Sequence, residues 1–155
     1  MTLQEALDIV DEMKPNMMSK MLKYKYLTEI EQLIFAEIIL KHEIPGVQRS
    51  GRRPVEDPMY DGYVWVMDNE NPPEAEQAIE KPLYTEDSDP GTVLIVPDPY
   101  SMVYIYWLMS KIDIQNQEDG RYNVDRAHFE NAYETMSDWY TRNHMPIQTV
   151  REFRL

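Results

Sequence analysis

The side chains able to do chemistry are few and scattered. Three histidines, His42, His128 and His144, stand far apart and share no metal-ligand spacing. Zinc sites draw their donors from short regular intervals or facing elements. His42-Glu43 is followed by Ile44-Pro45-Gly46, so Pro45 would break the helix that a zinc-protease motif needs. His128 reads as a surface or boundary residue of a helix. The chain has no cysteine, which removes disulfides, thiolate metal sites and thiol nucleophiles together. Glu86-Asp87-Ser88-Asp89-Pro90-Gly91 carries carboxylates at alternate positions, like the first half of a calcium loop. The distal bidentate glutamate is missing and a proline intrudes, so a solvated acidic turn is the simpler reading. Asp8 and Glu12 have the i, i+4 spacing of a carboxylate pair, which on a polar helix face reads as solvent-facing charge. No Gly-Lys-Ser/Thr follows a glycine-rich turn. The expectation is no enzymatic activity, no metal and no cofactor.

Two other features suit contacts with partners. Arg49, Arg52 and Arg53 form the one dense basic patch, beside Gly46 and Gly51, and fit either a phosphate or acidic partner or a solvated loop. A smaller basic cluster, Arg151 and Arg154, lies near the end of the sequence. The aromatic load is high, with 11 tyrosines and 3 tryptophans in 155 residues. Such side chains bury area while keeping a polar end, which suits interfaces as well as cores. Tyr100, Tyr104, Tyr106 and Trp107 crowd one segment beyond what an ordinary core requires. The expected contact residues are Tyr100, Tyr104, Trp107 and Lys111, with Arg49, Arg52, Arg53, Arg151 and Arg154.

The elements that must position these residues are mostly helical. Thr2 with Glu5 fits a capping box, and Leu3, Ala6, Leu7, Val10 and Met13 follow at helical spacing until Pro15. A second helix is expected from Ser19 to Lys41, with an apolar stripe of Tyr26, Leu27, Ile30, Leu33, Ile34 and Ile38. Glu29, Glu31, Gln32 and Lys41 fall largely off that stripe. Asp98-Pro99 reads as N-cap and first helical residue of a third helix, running from Tyr100 to Gln117 and apolar on nearly every side. A helix apolar all round is either central to a core or shared with a neighbouring subunit. Gly120 interrupts, and Asn123 caps a fourth helix to Arg142, with Phe129, Ala132, Tyr133, Met136 and Tyr140 on its stripe and Trp139 beside it.

Between the helical thirds lies a different kind of sequence. Residues 43–97 hold 8 of the 11 prolines and 4 of the 5 glycines. The net charge is −13, and residues 49–98 contribute most of it, with 12 acidic against 4 basic side chains. This stretch reads as a long excursion from the core. Within it Tyr63–Met67 and Thr92–Val96 look strand-like and are free to pair with each other as a β-hairpin or with another chain. Residues 145–155 look extended. The fold class expected is mostly α, a single domain over 1–155: two helices in 1–42, the excursion in 43–97, two helices in 98–144 and an extended tail in 145–155.

Charge and hydropathy exclude more than they name. An acidic chain lacks the Lys and Arg that a general nucleic-acid binder uses to neutralise phosphates. No apolar run approaches the roughly 20 residues of a membrane span, and the first residues lack the pattern of a secretion signal. A cytoplasm-like compartment is expected, with no membrane partner.

Several strings resemble a family of small phage proteins. They are Ala6–Asn16, Lys25–Glu31, Tyr84–Asp87, Val96–Tyr100, Arg121–Asn123, Phe129–Tyr133 and Asp138–Pro146. The family is the head–tail connectors (adaptor or head-completion proteins) of tailed bacteriophages that infect Gram-positive bacteria. The resemblance covers residues 3–42 and 84–148, about two thirds of the chain, while residues 43–83 depart from it as a longer insertion. It implies a small helical bundle, without enzymatic activity, that assembles as a ring, commonly of twelve copies. Such a ring sits beneath the portal protein of the filled capsid, extends the DNA channel and docks the tail or its stopper. The implied partners are further copies of this chain, the portal protein, a tail or stopper protein, and double-stranded DNA that passes without specific binding. The implied location is the virion, after assembly in the host cytoplasm.

The composition is consistent with that job. An acidic channel wall repels the DNA backbone and lets it slide. The insertion and tail suit reaching a neighbour, portal or tail, for example by strand addition. The tail from Met145 to Leu155 is expected to order only on assembly. A competing reading is an acidic decoy that mimics DNA and blocks a host DNA-binding protein, though its carboxylates concentrate in a proline-rich excursion.

Overall fold

A computed structural model describes residues 1–42, 81–144 and Pro146, together with the backbone of 52–56 and 63–67. The chain divides into two units, Met1–Glu43 with Pro82–Leu155, and Ile44–Lys81. In the second, β1 (Arg52–Glu56) pairs antiparallel with β2 (Tyr63–Met67), Pro54 standing opposite Trp65. The rest of the expected excursion, residues 82–97, belongs to the first unit.

The first unit holds four helices, as the sequence pattern leads one to expect. The first, α1 (Leu3–Met13), starts at the Thr2 capping box. The Thr2 side chain takes the Glu5 amide at 3.2 Å and the Glu5 carboxylate takes the Thr2 amide at 2.8 Å. Leu3, Ala6, Leu7 and Val10 are buried, whereas Met13 is half exposed, and the helix ends two residues before Pro15. Next, α2 (Lys20–Glu37) is capped by Ser19, whose hydroxyl takes the Leu22 amide. It stops earlier than expected, and Ile39–Lys41 continue as a 3₁₀ turn. The change of pitch brings both Ile38 and Ile39 into the core, which one continuous α-helical stripe does less readily because neighbours diverge by about 100°.

The third helix, α3 (Met102–Asn116), is the central element and packs against α1, α2 and α4 (Asp119–Asn143). Of the two readings of a helix apolar all round, a place within this chain's own core accounts for Val103, Tyr104, Ile105, Trp107, Leu108, Met109 and Ile112, all buried. It does not begin at Asp98-Pro99. Those residues form a turn in which the Ser101 hydroxyl donates to the Asp98 carboxylate, and Ser101 is the N-cap. Nor does Gly120 separate α3 from α4, for it lies inside the first turn of α4. The reversal is made at Gln117, a left-handed residue with φ 58°, whose amide returns to the carbonyls of Asp113 and Ile114. This αL termination is usually glycine's role.

Thr92–Val96 is not a strand. It touches the start of α1 through a single bridge, Thr2 to Val93, and through backbone bonds of about 3 Å from Leu3 to Thr92 and from Leu94 to Met1. The amides of Ile95 and Val96 are taken by side chains, so no ladder can extend past them. At the other end of the unit, His42 and Pro146 form an isolated antiparallel bridge. No helix among the described residues is long and apolar enough to cross a membrane.

Candidate functional site

Two buried charge clusters organise the helical unit, and neither was expected from the sequence. The first is centred on Glu31 of α2. Its neighbours on that face, Leu27, Ile34 and Ile38, are core residues, and Glu31 itself is completely buried instead of lying off the stripe. Its carboxylate accepts hydrogen bonds from the Tyr104 hydroxyl at 2.8 Å, the Ile95 amide at 2.7 Å and the Tyr84 hydroxyl. Tyr104 in turn accepts the Val96 amide at 3.0 Å. Burial pushes the Glu31 carboxyl above the ordinary glutamate range, against the three donors that favour its charge. Burial and the adjacent carboxylate push both tyrosine hydroxyls up, so each stays protonated and donates. Further along, Gln32 donates to the Pro82 carbonyl and the Tyr84 amide to the Thr28 hydroxyl, both at 2.9 Å. An irregular limb, residues 82–97, is thus held on α2 and α3 by side chains in place of a sheet.

The second cluster joins three helices. Lys14, the C-cap of α1, reaches Asp113 of α3 and, at 2.5 Å, Asp125 of α4. All three side chains are buried. Burial disfavours the ammonium, but the two aspartates outweigh it and hold Lys14 above its ordinary value. Burial and the neighbouring Asp125 push Asp113 up, with Lys14 opposing. Beside it a cleft of about 290 Å³ is lined by Lys14, Met109, Gly120, Arg121, Val124 and Asp125.

These clusters can hold helices and a limb in place. Glu31 lines neither this cleft nor the larger one described below. Among the described residues no group of three or more His, Asp or Glu side chains is placed to hold a metal ion. Asp8 and Glu12 are exposed, with Asp8 accepting a bond from Gln4 at 2.7 Å. In the Glu86–Gly91 stretch, the Asp89 carboxylate takes the Gly91 amide within an exposed turn.

The expected contact residues are dispersed differently from the sequence reading. Tyr104 is fully buried and Trp107 is 6% exposed, its indole donating to the Tyr26 carbonyl at 3.0 Å. Both are therefore core residues of this chain, not a free contact surface, because their polar ends are satisfied internally. Lys111 does reach the surface. Its ammonium lies 4.2 Å from the Trp107 ring centroid, 5.1 Å from that of Tyr26 and 3.7 Å from Glu29. Tyr100 is half-buried and stacks on Trp139 with centroids 4.8 Å apart. Near it, Tyr140 stacks on His144 at 3.8 Å and meets the edge of buried His42. His128 is exposed and stacks on Tyr106. Arg52 and Arg53 contribute backbone to β1; their side chains, and Arg49, Arg151 and Arg154 entirely, lie outside the described residues.

A signal for Glu31 was present: it sits four residues after Leu27 and three before Ile34, on the apolar angle of the helix. For Lys14, Asp113 and Asp125 the only signal was Asp113 next to Ile112 in an apolar helix. Compared with known proteins, the chain matches no family model, no curated protein and no solved structure.

Proposed function

We propose that this chain is a head–tail connector of a tailed bacteriophage, a structural virion protein whose copies form a ring beneath the portal, extend the DNA channel and dock the tail. One observation supports this reading beyond the strings themselves. Residues from separate strings meet in the folded unit. Glu31 of the Lys25–Glu31 string accepts the hydroxyl of Tyr84 from Tyr84–Asp87. Tyr100 of Val96–Tyr100 stacks on Trp139 of Asp138–Pro146. These contacts support reading the separate strings as parts of one folded unit.

In this reading the work is done by shape and charge. The insertion, with its β1–β2 pair as a hairpin, and the tail from Met145 to Leu155 are arms that engage the neighbouring subunit, the portal or the tail. The test is native mass spectrometry of the full chain with the portal protein from the same genome. The expected result is a discrete complex with about one copy per portal subunit. A chain that ignores the portal but binds a basic host protein overturns the connector reading in favour of a DNA-mimicking decoy.

A further inference from the structure

The strongest unexplained surface of the helical unit is a cleft of about 390 Å³ between the first half of α2 and the limb that follows residue 82. It is lined by Met21, Lys25, Thr28, Leu83, Tyr84, Thr85, Glu86 and Asp87. Its apolar walls are open to solvent: Met21 is 59% exposed and Leu83 68%. Met17, which precedes α2, is almost fully exposed. The floor is rigid, because the Tyr84 hydroxyl is held by buried Glu31 and its amide by Thr28. The rim is acidic, since Glu86 and Asp87 outnumber Lys25. The cleft therefore suits an apolar segment that carries arginines.

We propose that this cleft receives residues 147–155 of a second copy of the chain. This rests on the ring assembly proposed above and names one of its contacts. The segment Ile147-Gln-Thr-Val-Arg-Glu-Phe-Arg-Leu155 has the required chemistry, with Val150, Phe153 and Leu155 as apolar anchors and Arg151 and Arg154 as cations. Phe153 is the anchor proposed for the apolar walls at Met21 and Leu83, and Arg151 and Arg154 are the cations proposed for the Glu86 and Asp87 rim. A donor segment and an acceptor cleft on one chain form a heterologous contact, which generates a ring when the rotation closes.

Absence of cysteine makes the test clean. Full-length chains carrying Leu83→Cys alone and Phe153→Cys alone are mixed under assembly conditions with the portal protein and oxidised. The expected product is a disulfide dimer of one copy of each variant. It should fall at least tenfold when Glu86→Lys and Asp87→Lys are added, and return when Arg151→Glu and Arg154→Glu are added to the partner. A ring that assembles at the expected stoichiometry without this cross-link overturns the docking and leaves the connector reading standing. Absence of any oligomer, with or without portal, overturns both. A Leu83→Cys, Phe153→Cys double variant that closes only within single chains at every concentration also overturns it, by assigning the cleft to the chain's own tail.

Discussion

Glu31 and Tyr104, 73 residues apart in sequence, share a 2.8 Å hydrogen bond in which the tyrosine donates to a carboxylate with no exposure to solvent. Glu31→Ala would leave the Tyr104 hydroxyl and the Ile95 amide without their acceptor inside the protein. Each such orphaned group costs about 1–3 kcal/mol, so a loss of about 3 kcal/mol is expected in urea denaturation. A loss below about 1 kcal/mol would show that the limb is held by other contacts.

The same carboxyl carries a pH signature. Burial raises its folded pKa above the ordinary glutamate value of 4.5, so the unfolded chain gives up the proton at lower pH than the folded one. Stability from this group is full below pH 4.5 and declines as pH rises through the raised value. Glu31→Gln lacks the titration, so the stability advantage of the native chain over this variant should shrink as pH rises across that window. Parallel stability curves for the two proteins would refute this assignment.

Lys14 is shared by two aspartates, Asp113 and Asp125, at the meeting of α1, α3 and α4. Lys14→Met leaves Asp113 and Asp125 buried together without it, and breaking such a cluster costs about 3–5 kcal/mol. The loss should ease at acid pH, because Asp113, whose carboxyl is pushed up by burial and by Asp125, no longer repels its neighbour once protonated. Replacing all three by Lys14→Met, Asp113→Leu and Asp125→Leu should recover most of it, because an apolar replacement also removes the desolvation cost. Thermal melts of the single and triple variants at pH 4 and pH 7 provide the comparison.

Gln117 holds the left-handed turn between α3 and α4 at φ 58°. A non-glycine residue there carries a cost of about 1–2 kcal/mol, part of which glycine returns as extra freedom in the unfolded chain. Gln117→Gly is expected to raise the melting temperature by about 2–4 °C, and a fall would mean that the Gln117 side chain makes a compensating contact.

Tyr100 and Trp139 offer a measure of how firmly α4 holds the turn before α3. A double-mutant cycle with Tyr100→Ala and Trp139→Ala should return a coupling of about 0.5–1.5 kcal/mol for their stacked rings.

The sequence made the helices legible where local signals are strong. Thr2 and Glu5 marked the first cap, Pro15 its end, and the Phe129–Met136 spacing the buried face of the last helix. Boundaries failed where two signals competed. Asp98-Pro99 has the form of a helix start, yet Ser101 takes that place because the Asp98 carboxylate is bonded to its hydroxyl. Thr92–Val96 has β-branched composition, but composition cannot reveal that its amides are bound by Glu31 and Tyr104. Glu31 itself was assigned to the outside by its charge, although its helical angle pointed inward. Apart from the Val96–Tyr104 bond, which spans eight positions, the organising contacts were invisible for one reason: they join residues 50 to 111 positions apart, and local pattern carries no record of such pairings.

Two residues separate α3 from α4, whereas Lys14 meets Asp125 across 111 positions. This difference sets an order of events as the chain folds. The α3–α4 pair closes a short loop at little entropic cost, while α1 docks only after a long stretch of chain has been gathered. In stopped-flow kinetics, weakening the Trp107–Phe129 ring contact at 4.9 Å should slow refolding. Removing Lys14 should instead leave refolding almost unchanged and hasten unfolding, so that the buried ion cluster acts as a late latch that governs the lifetime of the folded subunit.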